Sequence, residues 1–174
     1  MKMKTPAAAA PALGAIAVMA AALAGAVGAN SASDPLQPLA FLAGHCFKGE
    51  IAAGKDTDEH CFAWLYGGKA LRDVHTVRGS GHPDYVGEST YYYDSAAKRI
   101  EYLYIENAGG VMRGAVEPGN GAIVFPPTTY VANGQAMTLR VRWTLQDNGY
   151  EAWSEAQDKG AWATMFKVRM LKSS

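Results

Sequence analysis

From Asp34 onward the chain is cut by turn signals at short, regular intervals: AAGKD, YGGK, GSGHP, DSAAK, NAGG, PGNG, ANGQ, QDNG and DKG. Nine turns imply ten strands, and no helical segment separates them. Strands spaced this way point to an antiparallel barrel or sandwich. Polarity within the segments agrees. In MTLRVRWTL, Met137, Leu139, Val141, Trp143 and Leu145 fall on one face, and Thr138, Arg140, Arg142 and Thr144 on the other. In RIEYLYIE, Ile100, Tyr102, Tyr104 and Glu106 share a face. A period of two is what a strand with two different faces requires. Short links between consecutive strands favour up-and-down order, and closing such a sheet removes its exposed edges. The expected fold is all-β: an antiparallel up-and-down barrel of about ten strands with an interior wide enough for a small ligand. DPLQPLAFLAG ahead of it reads as a short helix or turn, kept short by Pro35 and Pro38.

The first 33 residues have a different character. Lys2 and Lys4 precede a long Ala-rich apolar run that ends in small residues, with Val27-Gly28-Ala29 as a plausible cleavage site. This is the pattern of a secretory signal peptide over residues 1–33. The alternative is a membrane-spanning anchor, which weakly apolar Ala makes the poorer reading. Residues 34–174 then form a single domain, periplasmic or secreted, with no membrane insertion after signal removal. Leu42-Ala43-Gly44 resembles a lipoprotein signal, but His45 stands where the lipidated cysteine would be. The chain has 16 basic and 16 acidic residues, with no basic run or stripe. Nucleic acid and anionic membrane surfaces are therefore poor partners.

Both cysteines lie in GHCFKGEIAAGKDTDEHCF. In a hairpin centred between Ala53 and Gly54, Cys46 sits directly opposite Cys61, within disulfide reach. Alternation sends the adjacent His45 and His60 to the other face, so one metal ion cannot easily gather all four residues. An exported chain also meets an oxidising compartment. A Cys46–Cys61 disulfide is expected; free thiols and a metal site are the alternatives.

With the strands mapped, Leu39-Ala40-Phe41-Leu42-Ala43-Gly44 entering a first strand resembles calycin-type, lipocalin-like barrels. It is similar in particular to small bacterial domains related to nitrobindins, which often begin with a Phe-Leu-x-Gly-x-Trp signature. Cys46 takes the place of that Trp. Trp64-Leu65-Tyr66-Gly67-Gly68-Lys69 with Leu71-Arg72 also looks like that group, and the resemblance covers roughly residues 36 to 172. It implies a closed barrel with a pocket. Nitrobindins hold haem iron through a histidine late in the chain. Here the histidines are His45, His60, His75 and His82, so that ligation does not transfer, and no cofactor is expected.

Several residues could line a pocket. Tyr91-Tyr92-Tyr93 and Tyr102-Leu103-Tyr104 lie on consecutive strands, and Tyr can both line a pocket and donate a hydrogen bond. Alternation lets only part of the set point inward, and ordinary cross-strand packing is the competing reading. Arg140 and Arg142 would make a positive floor if their face is interior, with Glu101, Glu151 or Glu155 as partners, and a solvated pair if it is not. Trp153 can hold a ligand or pack the wall, as can Trp143. His75 shares a face with Asp73 and could be an oriented general base, but no nucleophile motif accompanies it. The acidic run KDTDEH reads as a solvated hairpin end. The candidate ligand-binding set is therefore Tyr92, Tyr102, Tyr104, Arg140, Arg142, Trp153 and His75, with no catalytic residue and no metal ligand assigned. The expected partner is a small, partly apolar molecule. An enzyme using the same cavity, or an envelope interaction module with a filled barrel, is the alternative.

Overall fold

The computed structural model describes residues 34–51 and 55–173. The signal peptide expected over residues 1–33 and the centre of the first turn, residues 52–54, lie outside the described residues. Ten strands follow in order: β1 (Cys46–Ile51), β2 (Asp56–Leu65), β3 (Ala70–Gly79), β4 (Tyr85–Asp94), β5 (Arg99–Glu106), β6 (Val111–Gly119), β7 (Ala122–Ala132), β8 (Gln135–Gln146), β9 (Gly149–Asp158) and β10 (Ala161–Lys172). Each pairs antiparallel with the next, and β10 closes on β1 through Phe47 opposite Lys172 and Lys48 opposite Leu171. The sheet is a closed up-and-down barrel, and from YGGK onward each turn segment read from the sequence lies at a junction between consecutive strands, several sharing an end residue with one.

The expected helix is a single 3₁₀ turn, Gln37–Leu39, with Pro38 in its first turn. Its neighbourhood matters more than its length. Leu36, Leu39 and Leu42 are at most 2% exposed and pack with Phe47, Phe62, Leu71 and Tyr150. This apolar plug stoppers the barrel near the start of β1 and the end of β2. The other half of the interior is not filled in this way. Inward positions there carry small side chains: Ser89 on β4, and Ala152 and Ser154 on β9. Small residues on an inner face leave volume that large ones would occupy.

Cys46 stands opposite Cys61 in the β1–β2 ladder, and the two form a disulfide with Cα atoms 4.0 Å apart. The next pair is Phe47 opposite His60, and both of these side chains lie on the inner face. The disulfide therefore staples the wall while its neighbours line the interior. A loop with a sequence separation of 15 residues is worth about 3 kcal/mol by the chain-entropy account. Peptide mapping without reductant should recover Cys46 and Cys61 in one cross-linked species. The double substitution Cys46→Ser, Cys61→Ser should lower the unfolding free energy by about 3 kcal/mol without changing the far-UV dichroism. Two free thiols in the native protein would contradict the register.

Candidate functional site

The hollow half of the barrel encloses about 410 Å³. Its floor is the top of the plugged core: Tyr91, Tyr102, Phe125, Trp143 and Ala152 belong to both. Met112, Leu139 and Val141 extend the apolar wall, and the exposed Met137, Met165 and Phe166 stand at the mouth. One sector is different. On β2 and β3 the wall carries Asp58, His60, Asp73 and His75.

Register explains this cluster. His60 lies directly opposite His75 across the β2–β3 ladder. Their rings stack 4.2 Å apart and 14° from parallel. Asp58 and Asp73 each sit two residues before a histidine on their own strand, so alternation puts all four on one face. Each aspartate then lies diagonal to the histidine of the other strand. His60 Nδ1 donates to Asp73 Oδ2 at 2.8 Å, and His75 Nε2 lies 2.7 Å from Asp58 Oδ1. The expected partnership of His75 with its strand neighbour Asp73 is thus corrected: the pairing is crossed between strands.

Two carboxylates at most 5% exposed need compensation, because an unpaired buried charge is too costly to keep. Burial alone would push the Asp58 carboxyl up. The close approach of the His60 and His75 imidazoles outweighs it and holds the group well below the usual carboxylate range. Burial would likewise strip His60 of its proton. The charge of Asp73, its hydrogen bond to Nδ1 and the nearby Asp58 carboxylate outweigh that, and push the imidazole up to about 10.

The network continues through tyrosines. The Tyr104 hydroxyl lies 3.5 Å from His75 Nδ1 and 2.7 Å from the Tyr85 hydroxyl. Burial pushes the Tyr104 hydroxyl far above its ordinary value. Tyr130 donates to Glu106 at 3.0 Å, and Glu106 also accepts from the backbone N–H groups of Ala108 and Gly110. Gly87 makes this arrangement feasible. A Cβ at that position would collide with the Tyr104 ring.

Of the residues expected to line the interior, His75, Tyr102 and Tyr104 reach the cavity. Tyr92, Arg140, Arg142 and Trp153 do not, and the expectation is corrected for all four. The cause is alternation. Tyr91 points inward, so Tyr92 points outward, where its hydroxyl donates to Glu101. Leu139, Val141 and Trp143 point inward, so Arg140 and Arg142 point outward. Arg140 pairs with Glu155 at 2.5 Å and stacks 4.3 Å over the Trp162 ring. Ala152 and Ser154 point inward, so Trp153 faces out and donates to Thr164. The reading of KDTDEH as a solvated hairpin end is also corrected: Asp58 is 5% exposed and faces the cavity. Only its neighbours behave as expected, with Glu59 paired to Arg78 and Asp56 to His82. The missed site residues are Asp58, His60 and Asp73. Their signal was the tripeptide Asp-x-His occurring on two consecutive strands, as Asp58-Glu59-His60 and Asp73-Val74-His75.

No family model matches this chain, and no curated protein matches it.

A group whose pKa rises on folding stabilises the fold below its unfolded pKa, and that stability is lost as pH climbs through the folded value. The His60 imidazolium, faced by Asp58, Asp73 and His75, should therefore contribute fully below pH 6.5 and lose its contribution as pH approaches about 10. Measured with a chelator present, so that only protons compete for the ring nitrogens, its NMR titration should fall far above that of an exposed histidine. A midpoint near 6.5 would contradict the pairing.

Proposed function

We propose that this protein binds a small, partly apolar molecule inside the barrel, as a transport, sequestration or sensing protein would. The observation that carries this reading is the vacant half-barrel of about 410 Å³, apolar over most of its wall and polar in one sector. Its volume falls within the range of small-molecule pockets, roughly 300–1,000 Å³. The vacancy also speaks against a filled barrel acting only through its outside. The wall describes its occupant: an apolar body against Met112, Phe125, Leu139 and Val141, and one polar end toward Asp58, His75 and Tyr104. With no Lys or Arg on that wall among the described residues, the polar end is a hydrogen-bonding or cationic group rather than a carboxylate or phosphate.

The closed barrel with an N-terminal plug is compatible with a calycin-like relationship, and we extend the proposal to kinship with the nitrobindin-related domains on the motifs quoted above. We propose export as well, supported by the Cys46–Cys61 disulfide, since such bonds persist in oxidising compartments. A second reading, catalysis in the same cavity, is favoured by one observation. The wall carries acid and base groups displaced from their ordinary ranges, Asp58 and His60 among them, and such groups cluster at active sites.

Native mass spectrometry of protein purified gently from its own source should show an added small-molecule mass; a clean apo mass counts against the binding reading. Ser154→Leu places a larger side chain in the cavity. It should weaken binding of a hydrophobic fluorophore at least tenfold while the far-UV dichroism is unchanged. Full affinity in that variant would locate the binding outside the barrel.

A further inference from the structure

We propose that Asp58, His60 and His75 form a binding site for a divalent first-row transition-metal ion of the zinc and iron class, held at the wall of the barrel cavity. The proposal does not rest on the ligand-binding reading, because the site would hold its ion in an otherwise empty barrel.

One carboxylate oxygen and two imidazole nitrogens lie within 4.8 Å of one another. Asp58 Oδ1 is 2.7 Å from His75 Nε2 and 3.6 Å from His60 Nε2. Donors about 2.1 Å from a tetrahedral ion stand roughly 3.4 Å apart, so these two separations bracket the required one. Mixed imidazole and carboxylate donors suit zinc and iron better than the hard ions that take oxygen alone.

A second observation is independent of spacing. Asp58 Oδ1 and His75 Nε2 are buried, and among the described residues neither has a hydrogen bond. They approach closely, yet without the alignment of a hydrogen bond. Donor atoms that share an ion aim at a common point rather than at each other. Asp58 itself is 5% exposed and faces the cavity.

The surroundings have the form that metal-binding histidines need. Such a residue usually gives its other ring nitrogen to a carboxylate or similar acceptor, which fixes the tautomer. His60 Nδ1 is held by the buried Asp73 at 2.8 Å, and His75 Nδ1 faces the Tyr104 hydroxyl at 3.5 Å. Both Nε2 atoms are therefore left for the ion, which displaces the proton that the metal-free His60 imidazolium carries. The two carboxylates favour a cation, and among the described residues no lysine or arginine lines the cavity to compete. Three protein donors leave coordination positions free, and those face the apolar hollow. The rings are close to parallel, so capture tilts both Nε2 atoms toward the ion.

The test uses Co²⁺ as a visible probe and Zn²⁺ as competitor, on the chelator-treated full chain. Wild type should bind one equivalent of Co²⁺ with ligand-field absorption, which one equivalent of Zn²⁺ abolishes. Asp58→Asn and His75→Gln should each weaken binding by tenfold or more. Asp73→Asn should weaken it by about 10–100-fold, the usual effect of removing an outer partner. The double variant His45→Gln, His82→Gln alters only histidines outside the cavity and should bind as wild type does. Absence of a stoichiometric Co²⁺ spectrum in wild type overturns the proposal. So does loss of binding in the His45, His82 double variant, or full retention in folded Asp58→Asn and His75→Gln. The wild-type and double-variant titrations decide the matter even where a cavity substitution prevents folding.

Discussion

Closure of the sheet is the constraint from which the other features follow. In an open sheet, alternation merely separates two faces. Once β10 hydrogen-bonds to β1, one of those faces becomes an interior shared by ten strands, and each side chain's direction acquires a chemical meaning. A single-residue slip in any ladder would exchange inside for outside. It would bring Arg140 and Arg142 into the barrel and put Val141 and Trp143 in water. Their buried guanidinium groups would then lack partners, while Glu155 would lose Arg140 outside. The disulfide between Cys46 and Cys61 opposes such a slip at the β1–β2 ladder, next to the strand that carries the polar wall.

The interior is divided by side-chain size. Leucines of the N-terminal plug and the aromatic rings of Phe47, Phe62 and Tyr150 fill one half. Ser89, Ala152 and Ser154 leave the other half open. In that open half sits a cluster that a packed core would not tolerate: Asp58 and Asp73 with His60 and His75. Replacing such groups with well-packed apolar residues is often neutral or stabilising. The stability of the barrel therefore does not account for their presence at the wall of a cavity. Tyr104 belongs to the same arrangement. It occupies the space that Gly87 leaves and links the histidine cluster to Tyr85.

Strand number, order and the pairing of Cys46 with Cys61 were legible in the sequence because turn residues and period-two alternation are local signals. The hairpin arithmetic needed only the turn centre. Which face is interior was harder to read, since Arg140 and Arg142 alternate with Val141 and Trp143 on one strand and both faces had a plausible reading. The inward Val141–Trp143 side is the one that leaves the arginines outside with Glu155. The histidine cluster was only partly legible. His75 and Asp73 were noticed as neighbours on one face, but their true partners are diagonal across β2–β3, and a pattern read along a single strand cannot show that. Composition also misled at KDTDEH, where four charged groups suggest solvent. Alternation in the closed sheet draws Asp58 and His60 inward and leaves Glu59 to pair with Arg78 on the other side, while Asp56, at the strand's end, pairs with His82.

Binding inside the barrel requires a void behind Trp143 and beneath the mouth. Dry apolar cavities take up xenon, so the decisive measurement is the anomalous map of a xenon-pressurised crystal. A xenon peak is expected inside the barrel among Phe125, Leu139 and Val141, facing the wall of His60 and His75. An interior filled by inward-turned side chains, with xenon bound nowhere within the ring of ten strands, would contradict it.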